Sequence, residues 1–444
     1  MAKKTIPFTA GIPAIDHHSH AGYVRPGEQL EGIDALEREY AMGYLESHLP
    51  SAVYLSYVDA VVAHDETTLA KLEKQYRISH ILKDGIRFQK TTIHGSSLAS
   101  GSRALYGDLS EAELVSASTQ QRIADFPGLY DRALALSDTS CVLTDIPRID
   151  AAQWSSQRYK PIARIDPYLY PLGHPDFIRR GSDTPRFRRI FSTVLHELLE
   201  DEGLAEIPTD FNDYLAFVRT SITNRHNNGF VGLKIASAYV RTLEFVRRDY
   251  RDAEAAYATL HGDDVDPTAY RILADYLVFA IAEQAAAEGL PIQIHTGMGH
   301  SEPGLTLRNA DPRNLDGLLS DRALNQLPII LIHGGYPYTS YVAALSQAHG
   351  NVYTDFSWMP YLQHHTVERL LQEWLEVLPA NKVLFGTDTG QPEFHVAATE
   401  RSRLLLDRVL TSGVTDRLWT VSQAEWLAHR VFHENLAAIY RLDS

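Results

Sequence analysis

Asp16-His17-His18-Ser19-His20 closes a short apolar run that begins at Ile12. Residues two apart on a β-strand project from the same face, so His18 and His20 can aim two imidazoles at one point. Three further polar residues end apolar runs later in the chain. His295 follows Ile292-Gln293-Ile294, His333 follows Ile330-Leu331-Ile332, and Asp388 follows Val383-Leu384-Phe385-Gly386-Thr387. Any one of these histidines alone would be an ordinary packing or capping residue. Four imidazoles and one carboxylate ending successive runs in this order make a ligand set for a divalent ion. Zinc suits it first, and Mn, Fe and Ni also accept such donors. Lys234, within Gly232-Leu233-Lys234-Ile235-Ala236, adds a basic group inside an apolar run. Desolvation favours the neutral amine, which can take up CO₂ and form a carbamate bridging two metal ions. The other reading of Lys234 is a retained ammonium that neutralises a substrate carboxylate.

These groups converge only if the runs that carry them lie side by side. Eight short runs qualify as strands: Ile12–Asp16, Cys141–Ile146, Pro161–Ile165, Phe230–Ile235, Pro291–His295, Ile329–His333, Asn351–Phe356 and Val383–Thr387. Amphipathic stretches separate several of them, as in Tyr270 to Glu288, where apolar residues recur at helical spacing before Gly289 and Pro291. Alternation of this kind predicts an α/β fold, a (β/α)₈ TIM barrel whose chemistry sits at the C-terminal strand ends. The first unit is unusual, because about 120 residues part the first run from the second. Their pattern predicts a helical insertion at about 30–135, with helices over Leu30 to Leu49 and Thr67 to Ile81 and a Ser/Gly-rich break from Gly95 to Gly107. Residues 171–229 form a second long, mostly helical connection, and the whole of 1–444 reads as one barrel domain.

Composition narrows the class. The 444 residues carry 41 basic and 56 acidic side chains, a net charge of −15, interspersed along the chain, which argues against nucleic acid or an anionic membrane as partner. Cys141 is the only cysteine, so disulfide frameworks and thiolate metal sites are excluded. No leader-like apolar segment or long apolar span is evident. The expectation is a cytoplasmic protein, acting on a small-molecule substrate and assembling as a homo-oligomer.

The motifs together resemble the amidohydrolase superfamily of metal-dependent enzymes, in particular the modules that occur alone or fused ahead of glutamine-synthetase-type domains. The likeness is carried by Asp16-His17-His18-Ser19-His20, by Gly232-Leu233-Lys234 with Ala238-Tyr239, and by His295-Thr296-Gly297-Met298-Gly299. It continues through His333-Gly334-Gly335-Tyr336-Pro337-Tyr338, Asn351-Val352-Tyr353-Thr354-Asp355-Phe356 and the closing Phe432-His433-Glu434-Asn435-Leu436. One departure stands out, since Asp388 is followed by Thr389-Gly390-Gln391-Pro392-Glu393 where those modules continue with Gly and aromatic residues.

The resemblance implies metal-assisted hydrolysis of an amide, a lactone or another C–N or C–O bond, with His18, His20 and His295 or His333 holding the cation. It implies that Asp388 takes the proton of the activated water and passes it to the leaving group. His333 would ligate a second ion or polarise the substrate carbonyl, and Lys234 would bridge two ions when carbamylated. Loops after the strands offer Tyr239, Arg241, Tyr336, Tyr338 and Trp358 as substrate contacts. Arg241 is the first candidate to grip a carboxylate, with Arg308 and Arg87 behind it and the His300-Ser301-Glu302 loop at the mouth. The same superfamily contains decarboxylases, other lyases and isomerases, and a non-catalytic metal-binding module is the reading from another class.

Overall fold

The computed structural model describes residues 5–22, 32–146, 154–171, 183–260, 266–299 and 305–442. All eight expected strands form: β1 Ala14–Ser19, β2 Thr139–Asp145, β3 Tyr159–Arg164, β4 Gly232–Ile235, β5 Ile292–His295, β6 Ile329–Ile332, β7 Val352–Asp355 and β8 Val383–Leu384. They pair in parallel and in sequence order from β1 to β8. Backbone hydrogen bonds from Asp388 N to the His18 carbonyl (2.7 Å) and from His20 N to the Thr389 carbonyl (3.2 Å) carry the ring nearly to closure. The protein is a (β/α)₈ barrel. Closure matters for function because it alone places residues 18 and 388 side by side.

Side chains on the two faces of the ring pack differently. Ala163, Leu233, Ile235, Ile294 and Leu331 pack among the surrounding helices, including the 22-residue helix Pro267–Glu288 that ends on a left-handed Gly289. Ile15, Leu143, Ile162, Ile330 and Leu384 form a separate cluster with Leu436, Ile439 and Tyr440 of the helix Asn435–Tyr440. Large apolar side chains thus fill the ring, as a packed barrel interior requires. Among the described residues, no helix is long and apolar enough to cross a membrane.

Between β1 and β2 lies the helical insertion: α1 Ile33–His48, α2 Ser51–Ala63, α3 Glu66–Tyr76, α4 Ile78–Gln89, α5 Ile93–Tyr106 and α6 Glu111–Leu136. Its outer half has its own small core of Ala41, Leu45, Leu49, Tyr54, Leu72, Ile78 and Leu82. Its inner half joins the barrel through Leu105, Phe126, Tyr130, Val142 and Tyr159. One expectation is corrected here. The Ser/Gly-rich stretch from Gly95 to Gly107 is no break but helix α5, capped by the Thr92 side chain, which accepts from Gly95 N, and ended by Gly107. The small residues serve contact rather than flexibility. A Cβ at Gly101 would lie 1.9 Å from the Glu393 carbonyl oxygen, so only glycine lets α5 approach the helix Pro392–Thr415. Tertiary packing thereby overrides the roughly 1 kcal/mol helix penalty of a glycine. The described part of the second connection is helical as expected, with helices Asp183–Asp201 and Phe211–Asn227.

Candidate metal centre

The strand ends deliver six groups to one place. Asp388 Oδ1 lies 2.9 Å from His18 Nε2 and 3.2 Å from His20 Nε2, and Asp388 Oδ2 lies 3.6 Å from His333 Nδ1. His18, His20 and Asp388 each offer a ligand atom within 4.8 Å of the other two. Lys234 Nζ sits 2.9 Å from His18 Nε2. The His295 ring packs 4.5 Å from that of His333, which is 5.1 Å from that of His18. His18, His295, His333 and Lys234 are buried, while the His20 side chain is 37% exposed and marks the open side.

Each side chain is aimed by a partner behind it. Gln293 Oε1 accepts from His18 Nδ1 (2.8 Å), because its amide nitrogen is already donating to the His17 carbonyl (2.7 Å) and Tyr440 (2.8 Å). That fixes the His18 tautomer and turns the lone pair of Nε2 toward the centre. An irregularity in the β1–β2 register between Asp16 and Ser19 lets His17 and His18 both reach Gln293 despite being adjacent. Asp355 Oδ2 pairs with His17 Nε2 at 2.6 Å, while its Oδ1 accepts from His333 N at 2.7 Å. Asp16 accepts from Thr387 N and so locks β1 to the segment that carries Asp388. His333 and Asp388 both have left-handed backbones, φ 71° and 56°. Non-glycine residues hold that conformation only when their surroundings impose it, and it recurs at functional sites.

Electrostatics suit a cation. Burial, then the charge of Lys234, pushes the His18 imidazole below its ordinary value of 6.5, and His295 falls further for the same reasons. Burial also carries His333 well below 6.5. All three are neutral ligands near pH 7. Burial alone would raise the Asp388 carboxyl, but the adjoining His333, His18 and His20 rings hold it well below 3.8. Burial lowers the Lys234 ammonium from 10.5, against the pull of Asp145 and Asp388. The donor set therefore fits a divalent ion: three buried neutral imidazoles, the more exposed His20, an ionised carboxylate and a lysine whose ammonium burial disfavours. A further sign is His295 Nε2, a buried polar atom with no hydrogen-bond partner among the described residues.

The neutral histidines have a measurable consequence. A group whose folded value lies below its unfolded value binds fewer protons when folded, so stability falls as pH drops below 6.5. Unperturbed carboxylates titrate at about 4, below the window from pH 7.5 to 5.5, and those that burial raises, Asp166 and Glu37 among them, are common to wild type and variant, so the comparison isolates the imidazole. Metal-free protein is expected to lose stability across that window in urea unfolding. The slope should be shallower in His295→Gln by up to about 1.4 kcal/mol per pH unit. A flat profile for the metal-free wild type would refute the assignment of buried neutral imidazoles.

The remaining expected site residues divide. The Tyr239 ring packs at a tilt 4.6 Å from that of His295, and Trp358, buried, lies 6.1 Å from His333. Tyr336 is half-buried against the core and its carbonyl accepts from Met298 N, and the Tyr338 hydroxyl donates to the Leu307 carbonyl beneath Arg313. Arg241 is largely engaged within the fold, with only Nη1 left unpartnered among the described residues. Its buried guanidinium donates to Asp275 (2.7 Å) and to the Thr242 and Glu244 carbonyls, because folding supplies a carboxylate on the helix Pro267–Glu288 before any substrate arrives. Arg87 and Arg308 are exposed, Arg87 pairing with Asp84, and His300-Ser301-Glu302 lies outside the described residues. Two groups at the centre went unnoticed in the sequence. Asp145 ends β2 and pairs with Arg164, which ends β3, and its Oδ2 lies 3.6 Å from Lys234 Nζ. Arg164 keeps its side chain 23% exposed. The rule that picked His295 and His333, a polar residue at the end of an apolar run, would also have picked both.

Comparison with known proteins agrees with this geometry. Protein fluG of Emericella nidulans is 27% identical over 227 residues, 48% of this chain, and the chain spans only 26% of that protein's length. Three solved structures share the fold across nearly the whole chain. A Lactobacillus casei protein provisionally assigned as a metal-dependent hydrolase has a TM-score of 0.69 at 17% identity, covering 98% of this chain and 96% of its own. Glucuronate isomerase from Caulobacter crescentus has a TM-score of 0.65 at 16% identity, covering 98% and 93%. A uronate isomerase from Bacillus halodurans has 0.63 at 13%, covering 98% and 95%. These identities speak to fold and leave the reaction open. The sequence profile of the amidohydrolase family matches residues 217–442, just over half of the chain. Because that match runs from β4 through β8, and so through Lys234, His295, His333 and Asp388, the chain belongs to the amidohydrolase family.

Proposed function

We propose that the protein is a metal-dependent hydrolase that cleaves an amide, lactone or related bond of a small carboxylate-bearing substrate. The observation that carries this reading is the ionised Asp388 carboxylate, whose Oδ1 lies 2.9 and 3.2 Å from the ring nitrogens of His18 and His20 in a cavity of neutral imidazoles, an arrangement of electron-pair donors that a cation would hold together. His18, His20 and Asp388 would hold the cation, zinc in the first instance, with His295, His333 and Lys234 in reach, Lys234 as a carbamate if a second ion binds. Such a cation would supply an acidic water, lowering its pKa from about 15.7 toward neutrality. Asp388 is placed to take a proton from the attacking water and to return it to the leaving group. His333, whose Nδ1 faces Ser357 Oγ at 3.0 Å, orients its ring toward the substrate carbonyl. Arg164 is the first candidate to grip the carboxylate, since its side chain, paired with Asp145 beside Lys234, stays 23% exposed.

The second reading is isomerisation of a sugar acid, favoured by the whole-chain likeness to uronate isomerases. Oxygen-18 water separates the two. A screen of N-acyl amino acids, lactones and uronates in labelled water is expected to yield a product with one solvent oxygen in its new carboxylate. Turnover of a uronate to an isomer of unchanged mass, with no bond cleaved, would overturn hydrolysis.

A further inference from the structure

We infer that Arg122, on α6 of the helical insertion, is a positioning residue for Asp388, so that the insertion sets the geometry of the barrel's centre. The inference rests on the reading of Asp388 given above. It begins with the departure at Thr389-Gly390-Gln391-Pro392-Glu393, whose side chains the metal centre does not use. Arg122 is 3% exposed and grips this segment at two points. Its Nη1 donates to Gln391 Oε1 (2.8 Å) and its Nη2 to Glu393 Oε2 (2.5 Å). The other oxygen of Glu393, fully buried, accepts from the Tyr106 hydroxyl of α5 at 2.6 Å. Tyr130, also on α6, donates to the Thr389 carbonyl at 3.2 Å. The close approach of Gly101 to the Glu393 backbone presses α5 on the same point.

Asp388 needs such support. Its backbone sits at φ 56°, a strained conformation for a residue with a side chain. The barrel itself contributes Ser19, donating to the Thr389 carbonyl (2.7 Å), and Tyr361, donating to the Asp388 carbonyl (3.0 Å). Among the described residues, the insertion supplies the side-chain hydrogen bonds to Glu393 and the guanidinium that ties Gln391 to it. A buried ion pair is a poor source of net stability, because desolvation offsets its attraction, and its best-attested use is to fix one register. Here the register fixed is that of the residues immediately following Asp388, on which the angle of its carboxylate depends. Residues behind a ligand commonly change metal affinity by about 10–100-fold when removed.

The test compares wild type, Arg122→Met, Arg122→Lys and the double variant Arg122→Met with Glu393→Gln. The readouts are melting temperature and Zn²⁺ affinity by chelator competition, measured far below melting. Arg122→Met strands the Glu393 charge and is expected to lose both stability and about 10-fold or more in zinc affinity. The double variant removes both charges; it should regain melting temperature yet keep the weakened zinc affinity. Arg122→Lys, able to grip one acceptor but not both, should fall between. Should Arg122→Met fail to fold, Gln391→Met carries the test, since it removes one uncharged, half-buried acceptor and leaves the ion pair: weakened zinc affinity supports the inference and wild-type affinity counts against it. A double variant with wild-type zinc affinity overturns it while leaving the hydrolase reading intact. A wild-type protein without zinc affinity overturns both.

Discussion

Asp388→Asn is expected to fold, to retain most of its bound metal, and to lose turnover by a factor of at least about 10³. A positioned general base contributes about 10²–10⁴, and this residue also orients the attacking water. The substitution is nearly isosteric, so the contacts to His18 and His20 and the bond from Asp388 N to the His18 carbonyl can persist. What the amide cannot do is accept a proton. Since the wild-type carboxyl is held well below 3.8, it is ionised throughout the working range, and the acid limb of the rate profile should belong to other groups. Circular dichroism, metal content and kcat on the same preparation check the claim. Turnover within about 10-fold of wild type would remove Asp388 from the role of base.

Replacing His18 and His20 together by alanine should abolish tight metal binding and, with it, activity. The two imidazoles are the ligands contributed by β1 and the residue that follows it, and they are the groups of that segment that reach Asp388 Oδ1. Elemental analysis of wild type grown with supplemented metal should find at least one divalent ion per chain, and the double variant none. The same measurement reads Lys234. If its amine is carbamylated and bridges two ions, bicarbonate should raise occupancy in wild type, and Lys234→Ala should hold one ion fewer. Wild-type protein free of metal and indifferent to chelators would exclude the centre altogether.

The two experiments probe opposite sides of one seam. β1 and the segment after β8 are the first and last parts of the ring, and the Asp16–Thr387 and Ser19–Thr389 bonds join them across separations of 371 and 370 positions, with Asp388 N bonded to the His18 carbonyl between them. Loss of the ligands on β1 should remove the cation, whereas loss of the base on the far side should leave the cation and remove the proton transfer. A variant set showing that split would separate binding from chemistry within one cluster.

Sequence alone determined the eight strands and the groups at their ends. An apolar run bounded by Gly, Pro or polar residues is a local signal, and the side-chain period of two within a strand is set by backbone geometry. His18, His20, Lys234, His295, His333 and Asp388 could therefore be placed at the barrel's mouth without knowledge of any contact. Only the tertiary structure decided which charged residues are spent on scaffolding. Arg241 is claimed by Asp275, Arg164 is left beside the centre, and a Ser/Gly-rich stretch becomes helix because α5 must lie against the Glu393 backbone. Arg122 and Glu393 stand 271 positions apart, and nothing local to either announces the other. Periodicity reports what a segment does with its own backbone hydrogen bonds and its apolar face. The partner of a buried charge is chosen by desolvation, which penalises every unpaired alternative and acts only once the ring has closed and excluded water.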